Sequence, residues 1–177
     1  MSDIDNMLSG SDTATYSPSD EEYVIVSEGE YPAHIVDLRV ISTQIRKTGN
    51  KCEIFKPVYE IAKEASDFAG RKVNSNGVFR YHNPPSEDGK QPTTGNRYYK
   101  NFLDIVGVSM QEDKDPNTGR VTYSLPKVEK DDVYGVPVMI RVKHRPYEYQ
   151  GNQRTAADGI LVSAWGDGKK LEMEIPF

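Results

Sequence analysis

The sequence predicts a mainly β fold, a closed or half-closed antiparallel barrel of short strands. From Glu30 onward, apolar residues recur at every second position in several short runs separated by Gly, Asn and Pro, which is the period of strands with one buried face. Only "NRYYKNFLDIVGV" from Asn96 spaces its apolar residues as a helix does. A chain of 177 residues with 36% hydrophobic content is expected to form one folded unit with its own core.

The first three strands are expected to follow one another along the chain. "EYPAHIVDLRVIST" and "CEIFKPVYEIA" form a hairpin through the turn "KTGNK". Pro57 has no N–H to donate to a ladder, so the second strand is expected to lie at an edge or to be bulged there. "FAGRKVNSNGVFRYH" then provides a third strand, which we expect to be interrupted near Asn76 and Gly77.

A single helix is expected between the third and fourth strands. It follows the long Pro- and Gly-rich loop "NPPSEDGKQPTTG", with Thr94 as a candidate N-cap and Gly107 as its end. Its spacing assigns Tyr98 and Phe102 to the core. After it come "VTYSL", "VPVMIRVKH" and "ILVSAW", all strand-like. This order of elements is typical of the oligonucleotide-binding (OB) fold, a Greek-key barrel, although a small sandwich would give a similar pattern.

Charge is unevenly distributed along the chain, whose net charge is −5. Residues 1–30 hold eight acidic residues and no Lys or Arg. The rest of the chain therefore holds the other 19 of the 27 acidic residues and all 22 basic ones, so it is slightly basic. We expect an acidic leader over 1–28, disordered to about Asp20, an OB-fold domain over 29–168 and an acidic C-terminal tip over 169–177. The leader is either a solubilising tail or an anionic competitor for a basic groove.

Motifs of catalysis and metal binding are absent from the sequence. "DKDPNTG" lacks the Gly and Glu of a calcium loop, and "GDGKK" lacks the first Gly and the Ser or Thr of a phosphate-binding loop. Cys52 is the only cysteine and the three histidines are scattered, which disfavours a zinc site. We therefore predict a non-enzyme without cofactor or metal; a small nuclease would need clustered carboxylates.

Nothing in the sequence suggests a membrane protein or an exported one. No run approaches the roughly 18 apolar residues of a membrane span, and "MSDIDNMLSG" lacks the features of a secretory signal. The expected location is the cytoplasm, without membrane contact.

Two runs, "GRKVNSNGVFRYH" and "RVKHRPYEYQGNQR", interleave cations with aromatic rings. Cations neutralise phosphates, and exposed rings stack on bases. In the second run, Arg141, Lys143 and Arg145 share one strand face. The alternative is an ordinary solvated face. Trp165 is either a core anchor or a stacking ring. The candidate nucleic-acid-binding residues are Arg71, Lys72, Phe79, Arg80, Tyr81, Lys143, Arg145, Tyr147, Tyr149 and Arg154.

The chain ends in "LEMEIPF", which has two interpretations. Leu171, Met173 and Ile175 alternate with Glu172 and Glu174, as in a half-buried last strand. Alternatively, the segment is a free peptide tip that a partner protein binds.

The sequence resembles the small single-stranded DNA-binding proteins encoded by bacteriophages. The resemblance is carried by "EGEYPAHIVD", "FAGRKV", "NFLDIVGV" and "DDVYGVPVMIRVKHR", in this order. The terminal "EIPF" is similar to the tip of bacterial single-stranded DNA-binding proteins, although that tip has more acids and follows a long flexible linker.

The resemblance implies an OB barrel that binds single-stranded DNA without strong sequence preference. The expected setting is phage replication, recombination or repair in the host cell's cytoplasm. The tip, Glu174, Ile175, Pro176 and Phe177, would recruit replication or recombination enzymes. A phage structural or protein-interaction β-barrel module without nucleic-acid binding is the alternative function.

Overall fold

A computed structural model describes Ala14 and residues 24–44, 51–65, 67–82 and 96–173. Within these ranges the chain forms eight strands and two helices. The strands are β1 (Gly29–Gln44), β2 (Lys51–Ile61), β3 (Lys72–Ser75), β4 (Val78–Tyr81), β5 (Gln111–Lys114), β6 (Val121–Ser124), β7 (Pro137–Tyr149) and β8 (Asn152–Ala164), and the helices are α1 (Arg97–Val106) and α2 (Lys130–Val133).

Five strands close a β-barrel in the order β1, β2, β3, β8, β7 and back to β1. The pairs are antiparallel except for β3 and β8, which run parallel and close the ring. β4 pairs with the first half of β2, outside the ring. The expected mainly β, OB-like barrel is confirmed. β5 and β6 form a separate two-stranded hairpin.

Helix α1 lies between the third and fourth strands of the barrel, as expected, and packs against β4 and β8. Gly107, with φ +78°, ends it in the left-handed conformation that glycine adopts readily. The assignment of Tyr98 to the core is wrong, because its side chain is 74% exposed. Tyr99 takes its place, and Phe102 is buried as expected. The candidate N-cap Thr94 lies outside the described residues.

The helix buries a stripe that is rotated about the helix axis relative to the predicted one. The α-helical rotation of about 100° per residue places Tyr98 beside the stripe rather than within it. The Tyr99 ring packs on Phe55 with the centroids 4.8 Å apart. Four residues of α1 enter the barrel core: Tyr99, Phe102, Leu103 and Val106.

The third strand is interrupted at Asn76 and Gly77, as expected. β3 pairs with the second half of β2 and β4 with the first half. Pro57 lies between these halves, so it faces the interruption on one side and pairs with Leu38 of β1 on the other. The expected edge position of Pro57 is wrong, because β2 is an inner strand. The β1–β2 register shifts between Ile35 and Asp37, opposite Tyr59 and Val58, so the irregularity expected at Pro57 lies next to it and on β1.

The barrel closes tightly where β8 meets β3. Gly159 lies in β8 beside β3, and a Cβ there would lie 2.8 Å from Cδ2 of Tyr59 and 3.2 Å from Cγ1 of Val73. These distances are shorter than van der Waals contact, so only glycine lets the two strands approach around the buried Tyr59 ring.

After β8 the chain folds back along the start of β7. The Trp165 ring contacts the ring of the buried His34, and Leu171 donates its N–H to the carbonyl of Gly135 at 2.9 Å. Trp165 is thus a packing anchor for this turn. Leu171 to Met173 form no strand, and Glu174–Phe177 lie outside the described residues, as do residues 1–23 apart from Ala14. None of the described helices is long and apolar enough to cross a membrane.

Candidate nucleic-acid interface

Strand alternation defines an outer surface of the barrel. In β2, Tyr59 points into the core and its neighbour Val58 points out. Val58 pairs with Asn74, Asn74 with Asp158, and Asp158 with Lys143. Paired residues point to the same side of a sheet, so these side chains form one outward row across β2, β3, β8 and β7. We call the outward face of β1, β2, β3, β4, β8 and β7 the outer surface.

The two predicted runs meet on this surface, although about sixty residues of sequence separate them. β8 lies between them, since it pairs with β3 on one side and with β7 on the other. The residues of the two runs that point outward by strand register are Lys72, Phe79, Tyr81, Lys143, Arg145, Tyr147, Tyr149 and Arg154.

β7 and β8 continue beyond the barrel as a two-stranded arm. The last β1 partner of β7 is Val142, and the first β3 partner of β8 is Asp158. Farther out, the strands pair only with each other within the described chain. We call this extension the β7–β8 arm. Its strand sections, residues 143–149 and 152–157, are mostly exposed.

One face of the β7–β8 arm combines rings and cations. The guanidinium of Arg145 lies 5.9 Å from the centroid of the Tyr147 ring, and that of Arg154 lies 5.0 Å from the Tyr149 ring. Both tyrosines remain exposed. Cation–π contact holds such a ring and its cation side by side, so the face offers stacking surface and positive charge at neighbouring points.

Carboxylates of the protein neutralise part of the predicted stripe. Arg141 pairs with Glu30 at 2.7 Å. Arg145 pairs with Asp158, with Nε to Oδ2 at 2.7 Å. Glu28 lies beside Lys143 and accepts the backbone N–H of His144 at 2.9 Å, a bond that lowers the pKa of the Glu28 carboxyl.

Five outward cations form no ion pair with the described residues: Arg39, Lys56, Lys72, Lys143 and Arg154. Arg39 and Lys56 face each other directly on β1 and β2, an arrangement of like charges that disfavours strand pairing. An anion between them would remove this repulsion. Arg39 and Lys56 were not among the predicted residues, although each follows the outward period of its strand.

Arg80 and Arg71 are engaged elsewhere. Arg80 points to the opposite side of β4, where it pairs with Glu53 at 2.7 Å and donates from Nε to the carbonyl of Leu125 at 3.1 Å. Glu53 is almost completely buried and also pairs with His82. Arg71 donates to the carbonyl of Val24 at 2.8 Å. Both arginines therefore hold segments of the chain together.

A cleft of about 710 Å³ opens beside the outer surface. Pairing of β3 with β8 ends at Ser75 and Gly159, and the cleft lies between β4, the rest of β8 and α1. We call it the seam cleft. The rings of Phe79 and Tyr81 line it and stack nearly parallel, with centroids 5.8 Å apart. No sequence pattern predicted this cleft, because it depends on where two distant strands stop pairing.

The described residues contain no group of three or more His, Cys, Asp or Glu placed to hold a metal ion. Comparison with protein-family models, curated proteins and solved structures found no match. The function of this protein is therefore inferred from the geometry of the outer surface and from the sequence resemblance.

Proposed function

We propose that this protein is a non-catalytic single-stranded DNA-binding protein that uses the outer surface of its barrel. One observation supports the proposal above others: the same surface presents exposed aromatic rings and cations that form no ion pair with the described residues. These cations include Arg39, Lys56 and Lys72, and the rings are Phe79, Tyr147 and Tyr149.

The two kinds of residue have complementary roles with a single strand. Lys and Arg bind the phosphates and release condensed counterions. Rings stack on bases with little preference for sequence, because every base has a π-face. In a duplex the base faces are already stacked on one another, so the rings favour single strands. The strand faces of an OB barrel and the hairpin at its end are where such barrels bind oligonucleotides.

The resemblance to phage proteins supports a role in DNA replication, recombination or repair. We extend the proposal to that setting on the sequence alone. That the tip recruits partner enzymes stays a prediction, because Glu174–Phe177 lie outside the described residues.

The unpaired lysines provide a direct test. Replacing Lys56 and Lys72 together by Gln should weaken binding to oligo-dT. The slope of log K against log salt should become shallower by about 1.4, since each lost phosphate contact removes about 0.7. Lys114→Gln is the matched control, because Lys114 is an exposed lysine on β5, away from the barrel. Fluorescence anisotropy at several salt concentrations measures both quantities. An unchanged slope in the double variant would refute this assignment of the cations.

A protein-interaction module is the second candidate. It is favoured by the β5–β6 hairpin, which leaves Val121 and Tyr123 exposed. Such a module would show no affinity for oligonucleotides and would self-associate at any salt concentration, and analytical ultracentrifugation distinguishes the two cases.

A further inference from the structure

The seam cleft contains a buried polar group without a partner. The Tyr59 side chain is completely buried and lines the cleft, and its hydroxyl makes no hydrogen bond with the described chain. Burial raises the pKa of this phenol, and the nearby Ser75 hydroxyl opposes the rise. A buried hydroxyl without a hydrogen bond costs free energy, but this one has no surface accessible from the cleft, so a ligand would be held by the other lining groups.

Other groups in the seam cleft combine apolar walls with hydrogen-bonding capacity. Ile160 and Val162 of β8 form one wall. The side chains of Asn76 and Asn101 also line the cleft, and an amide can both donate and accept. Flat apolar walls with a few polar groups suit a planar heteroaromatic ring better than an aliphatic side chain.

The seam cleft is continuous with the outer surface. Phe79 and Tyr81 belong to both, and Phe79 is 38% exposed. Lys56 lies next to this junction, since a Cβ on Gly77 would be 3.6 Å from its Cε. A strand whose phosphates contact Lys56 would therefore pass the mouth of the cleft.

We propose that the seam cleft takes one unstacked nucleobase of the bound strand, a proposal that rests on the proposed function. The base stacks against the Phe79 and Tyr81 pair, and Asn76 and Asn101 are the lining residues that can hydrogen-bond it. The stacking positions on the β7–β8 arm would hold other bases of the same strand.

Filling the cleft tests the proposal. Val162→Phe places a ring where the base would lie. Because Val162 is 38% exposed, the larger side chain fits without disrupting the fold. Val121→Phe on the β5–β6 hairpin is the matched control, because Val121 is 39% exposed and is not among the residues that line the cleft.

Each full-length variant is titrated with oligo-dT of about 30 bases and with an abasic oligonucleotide of the same length. Val162→Phe should weaken binding of oligo-dT about tenfold, which is the worth of about one stacked base. Its affinity for the abasic strand should not change.

The outcomes separate the two proposals. If wild-type protein binds oligo-dT and Val162→Phe binds it as tightly as Val121→Phe does, the cleft proposal is overturned and the proposed function stands. Equal weakening toward the abasic strand would also overturn it, because the effect would then come from the phosphate contacts. If wild-type protein does not bind oligo-dT at all, both proposals fail.

Discussion

The Tyr99 hydroxyl joins α1 to the segment that leads into α2. It donates to the carbonyl of Pro126 at 2.5 Å and accepts the N–H of the buried Val128 at 3.2 Å. These two bonds tie the helix to a segment 27 to 29 residues further along the chain.

Tyr99→Phe should therefore destabilise the protein. It leaves a buried N–H and a carbonyl without partners, which costs about 2 kcal/mol and lowers the melting temperature by roughly 4–8 °C. Tyr98→Phe is the control, because Tyr98 is exposed and should melt like the wild type. Thermal denaturation followed by circular dichroism measures both. Equal melting temperatures for the two variants would contradict the assignment of Tyr99 to the core.

Single residues were predictable from the sequence where local chemistry decides their place. Gly107 ends α1 because a left-handed residue is needed there. Arg80 was not predictable, since its partner Glu53 lies on another strand. Strand alternation showed that Arg80 points away from Phe79 and Tyr81, but not which of the two faces is the inner one.

At the scale of elements, the contact between β8 and β3 decides whether the barrel closes. Gly159→Ala should weaken it, because the added Cβ would lie 2.8 Å from the Tyr59 ring. We expect a loss of about 2 kcal/mol from overpacking. Gly166→Ala is the control, since an added Cβ there meets nothing within 4 Å. Urea denaturation gives both free energies of unfolding. A Gly159→Ala variant as stable as Gly166→Ala would contradict the described closure.

The hydrophobic periods in the sequence predicted the order of the elements, but they predicted only some of the strand pairings. The β1–β2 hairpin is local and was expected. Pro57 was misinterpreted because the sequence does not show that the third strand is interrupted opposite it. The β7–β8 arm was likewise unexpected in length, since nothing in "RVKHRPYEYQGNQR" marks where the barrel ends.

For the whole molecule, the outer surface arises from the parallel pairing of β3 with β8. This pairing brings together runs from opposite halves of the chain, and it unites Lys72 with the cations of β7 on one surface. The sequence predicted both runs, and a shared face for Arg141, Lys143 and Arg145 of the second, but not that one strand would separate the runs. The net charge of −5 did not indicate that one surface carries clustered cations, because net charge reports nothing about how charges are distributed.

The central claim is that the outer surface binds single strands. The most direct measurement titrates wild-type protein into a labelled oligo-dT of about 30 bases by anisotropy at two salt concentrations, with a duplex of equal length as competitor. We predict tight binding that weakens with salt by about 0.7 in log K per decade of salt for each phosphate contact, and no displacement by the duplex. Absence of binding at low salt, or equal competition by the duplex, would contradict the account.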